Sequence, residues 1–393
     1  MPRTSDGDGS DAKASPRRVA LIASSFAPHV GGVEEHVGQI ARQLHARGHT
    51  VEVWTVDRGV RPDAPFAAHD GSEITVRYLP TPLPARSVAA MLRFGLRVAP
   101  AWMRWARAHR GFAPEVLHVQ CFGPNGIYAE RLHRRFGTPL IVSSHGETLG
   151  DDHGIYARSA LLRARLRTAI AAAAAVTAPS RFALDDLKAH HGLDSAGEIV
   201  ANGVDLDVVP DALPVSDQPY LYAVGRLGLP KGFDLLIDAY ARSGLSRIPL
   251  IIGGEGPERD ALQRRIDEAG LDERVRLIGR QSPQQVATGM AGALAVIVPS
   301  RFESFGIVAL EAWRAGTALI MTSRGGAVDF VRHEQNGLLV DPTDVDELAA
   351  ALIRIVSDDE LRVTIARAGH EDVDAFTWAR AAEAYERIYD RLR

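Results

Sequence analysis

At 393 residues the chain is too long for one compact core, so two domains are the default expectation. Hydrophobic content of 46% and charged content of 24% are ordinary for a globular protein, and a single cysteine, Cys121, excludes an internal disulfide and suits a reducing cytoplasm. The formal net charge of −4 hides an asymmetry: from Thr75 to His191, sixteen Arg and Lys stand against seven Asp and Glu, a local excess of +9 that suits either an anionic partner or a solvated arginine-rich face.

Residues 1–16, "MPRTSDGDGSDAKASP", are polar and turn-rich without an apolar run, and read as a disordered tail rather than a signal peptide. "RRVALIASSF" (17–26) reads as a buried strand, followed by a glycine turn and an amphipathic helix from Glu34 to Arg47, with Gly48 at its C-terminal stop. Strand signals follow at "TVEVWTV" (50–56), "ITVRYL" (74–79), "EVLHVQ" (115–120), "PLIVSSH" (139–145), "AAVTAPS" (174–180) and "EIVANGV" (198–204), most of them separated by helical patterns. This alternation predicts a parallel sheet covered by helices on both faces. "AIAAAAAVTA" (169–178) is too short and too alanine-rich to span a bilayer, so a cytoplasmic location is expected.

"RSVAAMLRFGLRVAPAWMRWARAHRGF" (86–112) carries six arginines and no acid. Pro100 is expected to split it into two short helices or to start the second one. Its apolar residues, Met91, Leu92, Phe94, Leu96, Trp102, Met103 and Trp105, either pack on the first sheet or dip into an anionic membrane surface. A third use of the arginines is to receive an anionic acceptor such as a sugar phosphate or a lipid diphosphate.

"PDALPVSDQP" (210–219) breaks the pattern with three prolines and reads as a linker. The alternation then restarts with "YLYAVGR" (220–226), "IPLIIGG" (248–254), "RVRLIG" (274–279), "ALAVIVPS" (293–300), "ALIMTS" (318–323) and "GLLV" (337–340). The fold class is therefore α/β, with two Rossmann-like, doubly wound domains facing a central cleft. The expected bounds are 17–209 for the first domain, 220–375 for the second and 376–393 for a closing helix. Ligands of open α/β sheets bind beyond the carboxyl ends of the strands, which is where the motifs fall.

Gly31-Gly32 follows the first strand and leads into a helix, a turn that lets backbone amides approach a phosphate; it is equally a plain turn, and it is not the G-x-G-x-x-G dinucleotide fingerprint. In "VGRLGLPKGFDLL" (224–236), Arg226 ends a strand and Lys231 opens a helix, so two cations flank a strand-to-helix turn, a placement that suits a diphosphate. "GGEGPER" (253–259) is a similar turn at the next strand end, with Pro257 placed for a helix start. In "IVPSRFESFGIVALEAWRAG" (297–316), Glu303 falls in the loop, Ser304 is a candidate N-cap for a helix from Phe305 to about Ala315, and Glu311 lies two turns into it. Carboxylates in so apolar a stretch require partners, and a sugar hydroxyl or a ribose could supply them. One capping glutamate and one core-edge glutamate would satisfy the same spacing. "GDDHG" (150–154) and "KAHHG" (188–192) contain potential metal ligands, but adjacent side chains diverge and both runs read as solvated loops. No basic-aromatic pattern argues for nucleic acid.

Taken together, "GGVEEHV", "HGE", "PSRF", "NGVD", "VGRLGLPKG", "GGEGPE", "RFESFGIVALEA", "SRGGAVDFV" and "NGLLV" resemble the retaining glycosyltransferases of family 4 with the glycosyltransferase B fold. "FTWARAAEAYERIYDRL" (376–392) resembles the closing helix that crosses back to the first domain. The resemblance implies transfer of a hexosyl unit from a nucleoside diphosphate sugar, a UDP- or GDP-hexose, to an acceptor hydroxyl of a glycan, lipid-linked or small-molecule acceptor. It implies no cofactor and no metal. Arg226 and Lys231 resemble the pair that holds the donor diphosphate, and Glu311 the glutamate that grips the ribose. Glu303, with the amides of Phe305, Gly306 and Ile307, resembles the group that holds the donor sugar. His145 matches a first-domain histidine near that sugar, and Gly31 and Gly32 match the glycine loop near the phosphates. Gln120 stands where many relatives carry a second histidine, which bears against a proton relay there, and Asp329 replaces a common glutamate. An acceptor that is anionic or lipid-linked, and peripheral contact with the inner face of the membrane, fit the basic first half. A nucleotide-sugar 2-epimerase on the same fold and a catalytically silent nucleotide-sugar-binding module are the alternatives.

Overall fold

A computed structural model describes residues 15–29, 31–84, 88–149, 155–211 and 215–392. Most of the polar tail, Arg86, the side chains of Met91 and Leu92, the "GDDHG" run and the middle of the proline-rich linker lie outside the described residues. In the first half, strands β1 (Arg18–Ala23), β2 (Thr50–Val56), β3 (Val76–Leu79), β4 (Val116–Gln120), β5 (Leu140–Ser143), β6 (Ala175–Ala178) and β7 (Glu198–Ile199) alternate with helices α1 (Gly32–Ala46), α2 (Val88–Phe112), α3 (Pro124–Phe136), α4 (Ile155–Arg158), α5 (Ala160–Ala172) and α6 (Arg181–His191). In the second half, β8 (Leu221–Val224), β9 (Leu250–Gly253), β10 (Val275–Leu277), β11 (Ala295–Val298), β12 (Ala318–Thr322) and β13 (Leu338–Val340) alternate with α7 (Phe233–Ser243), α8 (Arg259–Glu268), α9 (Pro283–Ala291) and α10 (Ile307–Arg314). The chain closes with α11 (Val345–Ser357), α12 (Asp359–Asp372) and α13 (Trp378–Asp390).

The strands form two separate sheets, ordered β3-β2-β1-β4-β5-β6-β7 and β10-β9-β8-β11-β12-β13. All named pairings within them are parallel. The unbroken apolar runs of the sequence have this cause: a parallel sheet with helices on both faces buries both sides of its strands, so β4 and β11 are buried at every position. Strand order reverses between β1 and β4 in one sheet and between β8 and β11 in the other, which opens a crevice beyond those strand ends.

α13 completes the core of the first half, although the second half separates it from that core in sequence. Trp378, Ala382, Tyr385 and Tyr389 are buried with Val19 and Leu21 of β1 and Val37 and Ile40 of α1. Its polar staple is Glu386, 5% exposed, which accepts from the His49 Nε2 at 2.9 Å and from Arg47.

Four local expectations are corrected. Residues 86–112 do not form two helices: α2 runs unbroken through Pro100. Pro100 and Leu96, four residues before it, both lie on the solvent face, so the helical bond that proline cannot make is lost where water replaces it. The strand expected over 198–204 keeps only Glu198–Ile199, because Asn202 and Val204 turn away to bond His36 and the backbone of Phe376. The first helix begins at Gly32 and not at Glu34. "KAHHG" is the last turn of α6, closed by left-handed Gly192, with His191 buried 3.7 Å from Asp186.

Removing one partner of a buried ion pair leaves the others desolvated. Glu386→Ala is expected to lower stability by roughly 3 kcal/mol, read from urea unfolding.

Candidate active site

In the second half, the loop after β8 is zipped to the loop after β9: Gly225 and Leu227 donate to the carbonyls of Gly253 and Glu255, each at 3.0 Å. A β-carbon at Gly254 would stand 1.8 Å from the Gly225 carbonyl oxygen, so the "GG" of "GGEGPE" is a condition of this contact. The zipped pair presents Arg226 at an exposed position and leads through a single 3-10 turn, Leu229–Lys231, into α7. Arg301, from the loop after β11, makes a two-pronged pair with Asp234 of α7 at 2.8 and 2.7 Å and binds the Leu229 carbonyl at 2.7 Å. It thereby fixes the loop that carries Glu303 against the turn that carries Lys231.

Lys231 Nζ lies 2.6 Å from Glu303 Oε2, which also accepts from Ser300 Oγ at 3.1 Å. The Glu303 backbone is held on both sides, its N–H by the Arg324 carbonyl at 3.0 Å and its carbonyl by the Gly326 N–H at 2.8 Å. Ser304 does not cap the following helix, contrary to expectation. Its hydroxyl donates to the His145 carbonyl at 2.8 Å, in the other half of the chain, and its own carbonyl accepts from Ser180 at 2.5 Å. The cap position falls instead to Gly306, at φ 93°, and the helix starts at Ile307. Phe305 turns its ring into the core, stacked on Phe330 with centroids 4.7 Å apart, so only its backbone is available to a ligand.

Glu311 points from α10 toward the crevice. The residue is partly exposed, but its carboxyl is surrounded by protein, and desolvation pushes its pKa up to about 7. Arg314 opposes the rise, and Glu35, reaching from α1 in the first half, adds to it.

In the first half, Gly31 and Gly32 lie exposed at the start of α1. The "HGE" loop is organised by its glutamate: the Glu147 carboxylate accepts from the backbone N–H groups of Phe122 at 2.8 Å and His145 at 2.7 Å and from Ser144 at 3.1 Å. His145 Nε2 lies 2.7 Å from the Gln120 side-chain oxygen. An amide oxygen only accepts, so Nε2 carries the proton. The Gln120 nitrogen in turn donates to His118 Nε2 at 3.1 Å, and His118 Nδ1 meets the Tyr389 hydroxyl of α13 at 2.7 Å. His36 stacks edge-on against His145 at 4.4 Å between centroids and is bonded by Asn202 at 2.8 Å. Burial drives all three imidazoles toward the neutral form: His36 to about 4, His118 to about 3 and His145 well below 6.5. Their folded values lie below the unfolded one, so the stability they contribute is complete above 6.5 and declines as pH falls through their folded values.

The structure thus gathers Lys231 and Glu303 into direct contact, sets Arg226 on the neighbouring loop and Glu311 one helix away, and brings His145 to the same seam through Ser304. Sequence reasoning passed over Ser180, Glu147, His36, the cross-half contacts of Ser304 and the anchoring use of Asp329, whose carboxylate accepts from the Arg181 N–H at 2.6 Å. The quoted "PSRF", "RFESFGIVALEA", "HGE", "GGVEEHV" and "SRGGAVDFV" motifs contain all five, and they were the available signal.

Two facing doubly wound halves closed by a helix that crosses back constitute the glycosyltransferase B fold. Solved structures share it: sucrose-phosphate synthase from Thermosynechococcus elongatus superimposes with a TM-score of 0.80 at 24% identity, over 95% of this chain and 98% of that one. Anabaena HepE in complex with UDP and glucose superimposes with a TM-score of 0.75 at 20% identity, over 96% and 100%. The family model for glycosyltransferase family 4 matches residues 30–208, and that for glycosyl transferases group 1 matches residues 209–372. The chain belongs to the group 1 glycosyltransferases of family 4. Among curated relatives, the D-inositol 3-phosphate glycosyltransferase of Mycolicibacterium smegmatis is 29% identical over 96% of this chain and 91% of its own.

A buried acid whose folded pKa is raised binds its proton more tightly in the folded state, so it costs stability once pH rises past its unfolded value of 4.5 toward 7. Glu311→Gln is therefore expected to be more stable than the parent at pH 8, by about 3 kcal/mol, with the difference vanishing near pH 4. Thermal or urea unfolding across that range measures it.

Proposed function

We propose that this glycosyltransferase moves a hexosyl unit from a nucleoside diphosphate sugar to an acceptor hydroxyl and retains the anomeric configuration. The observation that carries the reading is the 2.6 Å contact between Lys231 and Glu303. In such a donor, the β-phosphate and the sugar share one bridging oxygen. A site for both therefore needs a cation for the phosphate immediately beside a carboxylate for the sugar hydroxyls. Bound donor would insert between the two groups and take over both hydrogen bonds.

In this scheme Arg226 and Lys231 bind the diphosphate, and the free amides at Phe305, Gly306 and Ile307 lie at the start of α10, where a helix stabilises negative charge. Glu303 orients the sugar and Glu311 accepts from the ribose hydroxyls. Gly31 and Gly32 let the first half close on the phosphates without side chains intervening. His145, neutral with its proton on Nε2, serves as a positioned hydrogen-bonding group beside the sugar and not as a general base. As the sugar–phosphate bond breaks, charge accumulates on the leaving diphosphate. The Arg226–Lys231 pair and the α10 amides meet that charge without needing a metal. A β-phosphate oxygen then takes the acceptor proton on the face from which the diphosphate departs, which conserves the configuration. The HepE structure is a complex with UDP and glucose, which supports a nucleotide-sugar donor here. The inositol 3-phosphate in the name of the M. smegmatis relative supports an anionic acceptor on the arginine-rich first half.

Incubation with UDP-, GDP- and ADP-hexoses in the absence of acceptor is expected to give slow hydrolysis of one of them, and product analysis by NMR with the accepted sugar reports the anomeric outcome. Nucleotide binding with no sugar release from any of the three would leave only a silent binding module.

Arg226→Ala and Lys231→Ala are each expected to lower turnover by roughly 10²-fold or more, as when a preorganised oxyanion donor is removed. Glu303→Gln should lower kcat, because it touches the reacting sugar, whereas Glu311→Gln should chiefly raise the donor KM. Activity is expected to persist after exhaustive EDTA treatment; loss restored by Mg²⁺ or Mn²⁺ would overturn the metal-free scheme.

A further inference from the structure

The arginines of α2 fall on a defined face that the donor chemistry does not use. At helical spacing, Leu96, Met103, Arg107 and Arg110 line up along one outward stripe, flanked by Arg97 and Arg104. Ala101, Trp105 and Ala108 occupy the opposite side, in the core of the first half. Leu96 is 79% and Met103 60% exposed, among the most exposed large apolar side chains described. α3 packs beside α2 and adds Arg131, Arg134 and Arg135, all exposed. A shallow cavity of about 450 Å³ lies on this face, lined by Trp102, Met103, Ala106, Arg107, Arg110 and Gly111.

The charge on the face is mostly uncompensated. Arg134 is paired with buried Glu130 at 3.6 Å, and Arg104 acts on Asp57. Among the described residues, Arg97, Arg107, Arg110, Arg131 and Arg135 make no ion pair. Three of them lie over aromatic rings instead: Arg131 over Trp102 at 4.4 Å, and Arg110 and Arg135 over Phe136 at 5.7 and 5.4 Å. That geometry holds guanidinium groups at the surface beside apolar side chains. It fits a partner that is both anionic and apolar a few ångströms deeper. A soluble anion would use the arginines but gain nothing from exposed Leu96 and Met103. No described helix is long and apolar enough to cross a membrane, so the contact is one of lying on a surface.

We propose that the α2–α3 face docks on an anionic lipid bilayer, with Arg97, Arg107, Arg110, Arg131 and Arg135 at the headgroups and Leu96 and Met103 dipping beneath them. The docking is separate from donor chemistry, so its readout does not depend on the identity of donor or acceptor.

The test is co-sedimentation of the full chain with phosphatidylcholine vesicles with and without phosphatidylglycerol, at low and high salt. Binding is expected only to the anionic vesicles, and should weaken as salt rises. The Arg107→Ala, Arg110→Ala double variant should bind roughly 25-fold more weakly, about fivefold for each arginine lost. The Leu96→Ser, Met103→Ser double variant should lose the binding that remains at high salt. All four positions are solvent-facing and outside the donor site, so both variants should keep the parent's melting temperature and its donor hydrolysis without vesicles. Absence of binding to anionic vesicles at low salt, or undiminished binding by the arginine variant, would overturn the proposal. Equal binding to neutral vesicles would overturn its electrostatic basis.

Discussion

The structure depends on one loop being claimed by two halves. Residues 299–306 leave β11 at the point where the strand order of the second sheet reverses, and the loop is tied at several points to both halves of the chain. Arg301 ties the loop down to Asp234, Glu303 is bridged to the strand-end turn at Gly325, and Ser304 reaches into the first half at His145 and Ser180. Parallel sheets gather their strand ends on one side, so two such sheets can face each other only along a seam of loops. The side chains left over on those loops become the chemistry. The anchoring of that loop fixes Glu303 beside Lys231.

The electrostatics of the seam follow from that crowding. The imidazoles of His36, His118 and His145 are too deeply enclosed to carry charge and serve as directional hydrogen-bonding groups. Glu311 is enclosed as well, but a cation and a second carboxylate stand near it, and it titrates close to neutrality. The positive charge of the site therefore lies at its rim, on Arg226 and Lys231, while the interior contributes neutral donors and acceptors. This division keeps the desolvation cost of the enclosed groups low.

Much of the architecture was legible because a parallel sheet imposes a strong signature. Strands buried on both faces are mostly apolar, and "LIIG" and "AVIV" cannot serve as much else. The positions of Arg226, Lys231, Glu303 and Glu311 could be read because each sits next to such a strand or on the helix that follows. What could not be read were partnerships across distance. Ser304 looks like an N-cap locally, and its contact with His145 spans 159 residues of sequence. Gln120 and His145 sit on neighbouring strand ends 25 residues apart, with no periodicity to pair them. Pro100 misled for a different reason: its cost depends on whether the lost hydrogen bond faces water or core, and sequence alone does not give the face.

The crossing of α13 has a consequence for how the protein is made. Tyr385 and Tyr389 fill the core beneath β1 and α1, and Tyr389 is the hydrogen-bonding partner of His118. The ribosome delivers β1 to β7 long before it delivers these residues. Until α13 emerges, one face of the earlier sheet lacks its cover and His118 lacks its tyrosine, whereas the core cluster spanning β8 to α12 contains no residue of the first half. One face of the first half has a core cluster of its own, and only the other face waits for α13. A chain truncated by a few turns at its C-terminus would lose integrity at the opposite end of its sequence.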